Sequence, residues 1–162
     1  MNAIKDTPVD YLIWGNHEAD IDHRVVCRHV REYPGIWLNT NMQDHKEMTH
    51  QNDYDIVEIN SLDGEHERRV GLVGVLSDDP ALDAKCKNPG AVGGAQIKEP
   101  WETVKEYKHK REGEERCDVV VPFEHVYVPD DDITREKFDC PVILSGHDHQ
   151  KIDEVHSGTR LV

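Results

Sequence analysis

Gly15-Asn16-His17-Glu18 and Gly146-His147-Asp148-His149 concentrate metal-binding side chains into two four-residue islands near opposite ends of a 162-residue chain. Asn offers a carbonyl oxygen and neutral His a ring nitrogen, a donor set suited to borderline divalent ions such as Zn, Mn, Fe or Ni. Each island follows an apolar run: Val9-Asp10-Tyr11-Leu12-Ile13-Trp14 before the first, Pro141-Val142-Ile143-Leu144-Ser145 before the second. A third run, Val119-Val120-Val121-Pro122-Phe123-Glu124-His125, ends in a histidine. Turns at the carboxyl ends of buried strands are where open α/β sheets expose their ligand sites. Asn16, His125, His147 and His149 therefore read as one metal centre. Histidines two apart on a turn can face different sides of the backbone, so His147 and His149 can serve two adjacent ions. Two ions roughly 3.5–4 Å apart can clamp a transferring phosphoryl group.

Placing these residues together requires an alternation of strands and helices, which makes the fold class α/β. Residues 9–14 read as a buried strand. A helix over 21–33 follows, because Ile21, Val25, Val26, Val30 and Tyr33 recur at helical spacing and Pro34-Gly35 stops it. Ile36-Trp37-Leu38 reads as the next strand, and the His- and Asp-rich stretch 41–53 as a surface loop. Residues 54–59 alternate apolar with polar and are joined through Leu62-Asp63-Gly64 to the more apolar run 69–76, a hairpin whose second member returns to the core. Residues 78–96, with two prolines and three glycines, read as a long irregular loop. Pro100 suits the first turn of a helix over 101–112, with Trp101 and Val104 facing inward and Glu106 paired to Lys110. Asp130-Asp131-Asp132 begins a short helix near 133–138, and Ser157-Gly158 turns a terminal hairpin. The other histidines, His23, His29, His45, His50, His66, His109 and His156, lie at polar or helical positions and read as solvated surface residues.

Composition narrows the function further. The formal net charge of −14 and isoelectric point near 5.1 exclude broad binding to nucleic-acid polymers or anionic membranes, which needs basic patches. A phosphate-bearing substrate would be repelled too, unless bound cations reversed the local field. Cys27, Cys86, Cys117 and Cys140 form no C-x-x-C pair, which leaves them as buried thiols in a reducing compartment. With no secretory apolar core and no membrane-length apolar run, a cytoplasmic location is favoured.

G-N-H-E, a strand-terminal His and G-H-x-H, in this order, resemble the last three motifs of the calcineurin-like metallophosphoesterases. The similarity runs from about Val9 to Leu161. It is greatest to the 5′-nucleotidase-like branch, where an Asp closely follows G-N-H-E, as Asp20 does here. Trp37-Leu38-Asn39 with Asn41, and Val70-Gly71-Leu72-Val73-Gly74, also resemble that branch. The resemblance implies a layered metallophosphoesterase-like sheet with flanking helices. It also implies that Asn16, His125 and His147 are ligands of one ion and that His149 belongs to the other. By the same resemblance His17 binds no metal but sits near the phosphate, where an imidazolium stabilises charge or protonates the leaving oxygen. Asp20 then orients His17.

The family also opens with D-x-H and G-D-x-x-D motifs, and this chain contains no D-x-H tripeptide and no Gly-Asp dipeptide. Those motifs would supply two ligands to the His149 ion and the carboxylate that bridges both. Residues 1–162 are thus expected to form a partial domain, with N-terminal strands missing. Such a chain binds at most one of the two divalent ions well and has little or no phosphatase activity alone. Two functions follow. One is a phosphoesterase domain acting on small phosphate esters, nucleotides among the candidates. The other is a non-catalytic remnant serving as a metal-binding or protein-binding scaffold.

Overall fold

The computed structural model describes residues 7–80 and 92–162. Cys86 and most of the expected 78–96 loop lie outside them. Two sheets form the frame. Strands β1 (Tyr11–Ile13) and β2 (Ile36–Leu38) pair in parallel as a small sheet. The larger sheet holds β3 (Asp55–Asn60), β4 (Glu67–Leu76), β5 (Val119–His125), β6 (Val142–Gly146), β7 (Glu154–His156) and β8 (Thr159–Leu161). Its order is β3-β4-β5-β6-β8-β7, parallel from β4 through β8 and closed at each edge by an antiparallel strand. Both expected hairpins, β3–β4 and β7–β8, are present.

Parallel register is what builds the site. Leu76 pairs with His125, and His125 with Gly146, so the carboxyl ends of β4, β5 and β6 lie level. The small sheet packs on one face of the large one, around Leu38, Val70 and Leu72 with Ile13, Val121 and Phe123. Contact there is close because Gly74 has no side chain: a Cβ would stand 2.7 Å from Ile13 Cγ2 and 2.8 Å from Leu38 Cβ. The opposite face carries α2 (Pro100–Gly113), whose Val104 and Tyr107 pack against Val73, Val75 and Val120. Trp101 is only half-buried, whereas the expected Glu106–Lys110 pair is formed.

The first helix, α1 (His23–Glu32), starts two residues later than its apolar pattern suggests. The Asp22 carboxylate accepts the Arg24 amide and caps it, and Ile21 is left exposed outside. Its inner face, with Val26 and Val30, packs on Trp14, Trp37 and Met42. The third helix, α3 (Val128–Lys137), is longer than the acidic run and its apolar partners indicate.

The stretch 41–53 is not the solvated loop its composition suggests. Asn41, Met42, His45 and Gln51 are buried. The Asn41 side chain acts as a strand partner for the end of β4: its amide donates to Leu76 O at 2.7 Å, and its Oδ1 accepts the Leu76 amide at 3.1 Å. Polarity of composition is compatible with burial when each polar group finds a partner. Among the described residues no helix is long and apolar enough to cross a membrane.

Candidate metal centre

Trp14 ends the first buried segment, and the chain then makes a 3-10 turn over Asn16–Asp20. Glu18 Oε2 accepts the Gly15 amide at 2.8 Å, which ties the turn shut as a carboxylate at that position can. Burial raises the Glu18 carboxyl above its ordinary value. The tied turn aims Asn16 across the carboxyl ends of β5 and β6. Asn16 Oδ1 stands 2.8 Å from His125 Nε2 and 3.3 Å from His147 Nδ1, and those two ring nitrogens are 3.3 Å apart. Three potential ligands, the first and last 131 residues apart in the chain, thus point at one spot.

The surroundings hold that arrangement. A Cβ on Gly15 would sit 3.0 Å from His125 Cε1 and 3.2 Å from its Nε2, so any larger residue would push the ring aside by a few tenths of an ångström. The Tyr127 ring meets His147 edge-on, with centroids 4.3 Å apart. His147 and His149 both adopt positive φ, +118° and +54°. Backbone of this kind is strained by roughly 1–3 kcal/mol per residue for non-glycines and is typically held by its surroundings at functional sites. Here Asp148, lying between them, accepts the Val128 amide at 2.8 Å and ties the turn to the start of α3.

The alternation of backbone directions splays the two histidines. His149 does not join Asn16, His125 and His147. It lies exposed, nearly parallel to His17, with ring centroids 6.2 Å apart. His17 Nδ1 is 2.6 Å from Asp20 Oδ2, the pairing expected from the sequence. The site therefore has two halves, a half-buried trio and an exposed pair of rings.

Donor chemistry suits a cation in the trio. Ligands about 2.1 Å from an ion lie roughly 3.0–3.4 Å from one another in octahedral or tetrahedral geometry, which includes the two 3.3 Å separations and is slightly wider than the 2.8 Å one. His125 is pushed down to about 4, first by burial and then by the charges of His147, His17 and His149. It is therefore neutral at physiological pH, the form a metal requires.

Sequence reasoning missed Gly15, Tyr127 and Asp148 as supports of the site. Only Asp148 carried a signal, its place between two candidate histidines. The expectation that all remaining histidines are solvated is corrected at two of them. His23 and His45 are buried, together with Cys27. The helical spacing 23, 26, 27, 30 could have shown this for His23, had a histidine been admitted to an apolar stripe. Cys117 and Cys140 are buried free thiols, as their isolation in the sequence suggested.

Residues 1–151 match the calcineurin-like phosphoesterase family, and the chain belongs to it. The NAD nucleotidase of Haemophilus influenzae (NadN) superposes with a TM-score of 0.70 at 15% identity, over 88% of this chain and 27% of its own. The calcineurin-like phosphoesterase YfkN from Bacillus subtilis gives a TM-score of 0.65 at 20% identity, over 93% of this chain and 47% of its own. At these identities the likeness establishes a shared fold, and the chain spans less than half the length of either protein. No curated protein matches the sequence.

Proposed function

We propose that residues 1–162 are part of a metal-dependent phosphoesterase domain of the 5′-nucleotidase-like branch. Its substrates are small phosphate esters, with nucleotides among them. The observation that carries this reading is the convergence of Asn16 Oδ1, His125 Nε2 and His147 Nδ1 within 3.3 Å at level strand ends. Family membership supplies the reaction class, and the nucleotidase among the structural neighbours supports the substrate class.

In this reading Asn16, His125 and His147 hold one divalent ion, and His149 contributes to a second in the complete domain. Bound there, divalent ions supply Lewis acidity at the phosphoryl oxygens and a nucleophile from water at neutral pH. His17 faces the phosphate. Asp20, bonded to Nδ1, keeps the ring oriented and leaves Nε2 to deliver a proton to the leaving oxygen. Net negative charge elsewhere on the chain makes the cations necessary for binding an anionic ester at all.

Because neither D-x-H nor Gly-Asp occurs in the chain, one ion is bound well at most and turnover by the isolated chain is low. The second reading is a non-catalytic scaffold that binds a metal or a protein. Calorimetric titration with Mn²⁺, a hard ion that avoids thiolates, tests the site. The reading expects about one ion per chain, with binding lost in the Asn16→Ala, His125→Ala, His147→Ala triple variant. Unchanged binding in that variant overturns it. Hydrolysis of p-nitrophenyl phosphate should stay at the triple variant's level; clear turnover above it would show that the chain needs no further ligands.

A further inference from the structure

Behind the small sheet, α1 and the 41–53 segment bring His23, Cys27 and His45 together, all three buried. We infer that these residues form a second, structural metal site for a zinc-like ion, independent of the centre at the strand ends. His23 and Cys27 are four residues apart on α1 and so share one face, one turn apart. One ligand atom from each of the three residues lies within 4.8 Å of the others.

Distances and orphaned atoms point the same way. His23 Nε2 and Cys27 Sγ are 3.4 Å apart. Tetrahedral zinc, with bonds of about 2.3 Å to sulfur and 2.0–2.1 Å to nitrogen, places its S···N edge at about 3.6 Å. His45 Nε2 is buried without a hydrogen-bond partner among the described residues. A buried, unpaired ring nitrogen of a residue only 3% exposed is costly, and a bound ion removes that cost. Gly93 completes the cradle: a Cβ there would overlap Nε2 of His23, so only glycine leaves the space.

The outer contacts of His45 set a specific condition. Its Nδ1 accepts from the Glu47 amide and from the Gln51 side-chain amide, each at 3.2 Å. Gln51 cannot simply turn over, since its Oε1 accepts Trp14 Nε1–H at 2.6 Å. With both neighbours donating, the ring proton of the metal-free protein sits on Nε2. Ligation through Nε2 therefore releases one proton to water, from the Cys27 thiol, and moves the single ring proton of His45 from Nε2 to Nδ1, where the Gln51 and Glu47 amides oppose it. Metal-ligating histidines ordinarily donate their second N–H to an acceptor, and Gln51→Glu would provide one while still accepting Trp14. That variant should bind more tightly than the natural chain.

Such an ion would clamp the start of α1 to the 41–53 segment. Because α1 follows directly on the Asn16–Asp20 turn, the clamp would also steady the turn that carries Asn16 and His17. Titration of the full chain with Co²⁺, followed by absorption, tests the site, because only thiolate ligation gives a sulfur-to-cobalt charge-transfer band. The inference expects one equivalent of band-forming Co²⁺, displaced by Zn²⁺. It expects no band in Cys27→Ser, and a normal band in the Asn16→Ala, His147→Ala double variant. Gln51→Glu should tighten binding by about tenfold, which needs no disruptive substitution and so separates ligation from a folding defect. Absence of the band from the natural chain, its persistence in Cys27→Ser, or weaker binding in Gln51→Glu would each overturn the inference.

Discussion

Asn16, His125 and His147 illustrate how little contact is needed to define a site and how much is needed to hold it. The ring of His125 fits because residue 15 is glycine, and Gly15 has an extended backbone that any residue can adopt, φ −128° and ψ 171°. Gly15→Ala therefore tests packing alone. It should displace the ring by a few tenths of an ångström, cost about 1–3 kcal/mol of stability, and weaken Mn²⁺ binding at least tenfold by calorimetry. Protonation makes a second prediction for the metal-free protein. His45 and His125 are each pushed down to about 4, in both cases chiefly by burial, with His23 adding to His45 and His147 to His125. Unfolded histidines titrate near 6.5. Between the two values the unfolded chain binds more protons, so stability is complete above about pH 6.5 and is lost as pH falls towards 4. The urea midpoint should drop from pH 7 to pH 5, and His45→Gln should flatten that drop.

Helix α3 and strands β5 and β6 meet over two buried acids. Glu124 and Asp131 are both almost fully buried, and Ser145 Oγ donates to Asp131 Oδ2 at 2.6 Å. Burial pushes Asp131 up to about 6 and holds Glu124 well above the carboxylate range, with Asp131 adding to the shift. Here the sign is opposite to that of the histidines. A raised carboxyl favours the fold at low pH, and that contribution is lost as pH rises through about 6. Asp131→Asn keeps an acceptor for Ser145 and removes the ionisation, so its stability relative to the natural chain should rise between pH 5 and pH 8. Thermal unfolding at the two pH values measures this. The same helix is capped from outside by Asp148, and Asp148→Ala should lower stability by about 0.5–2 kcal/mol. It should also loosen the turn between His147 and His149, visible as weaker Mn²⁺ binding.

The two sheets differ in how their edges are protected. In the larger, antiparallel β3 and β7 close the ends, and β3 carries Asp55 and Glu58. Among the described residues β1 pairs only with β2, which leaves its other edge open beside partly exposed Val9. An open apolar edge is a template for pairing with another chain, while a net charge of −14 opposes association at long range. The balance should shift with ionic strength, because salt screens the repulsion and leaves strand pairing intact. Light scattering should show self-association rising with added salt, and Val9→Lys should suppress it. Equal scattering at low and high salt would sink this account.

Strands β2, β4, β5 and β6 were legible as apolar runs bounded by turn residues, β3 by its alternation, and the Pro100 helix by its leading proline and the Glu106–Lys110 spacing. The convergence of Asn16, His125 and His147 was legible because each lies at or just past the end of an apolar run, and parallel strands bring their carboxyl ends to one side. The burial of 41–53 was not legible, since its polar residues find their partners on β4, α1 and Trp14 rather than nearby in sequence. The splay of His149 from His147 was expected from their spacing, whereas the two positive φ values that produce it were not legible. His23, Cys27 and His45 come from a helix and a segment whose composition suggests solvent, and only packing brings them together. Apolar period and motif spacing are local properties, readable along the chain. Partners for buried polar groups are chosen by long-range packing, and the tertiary structure alone decides them.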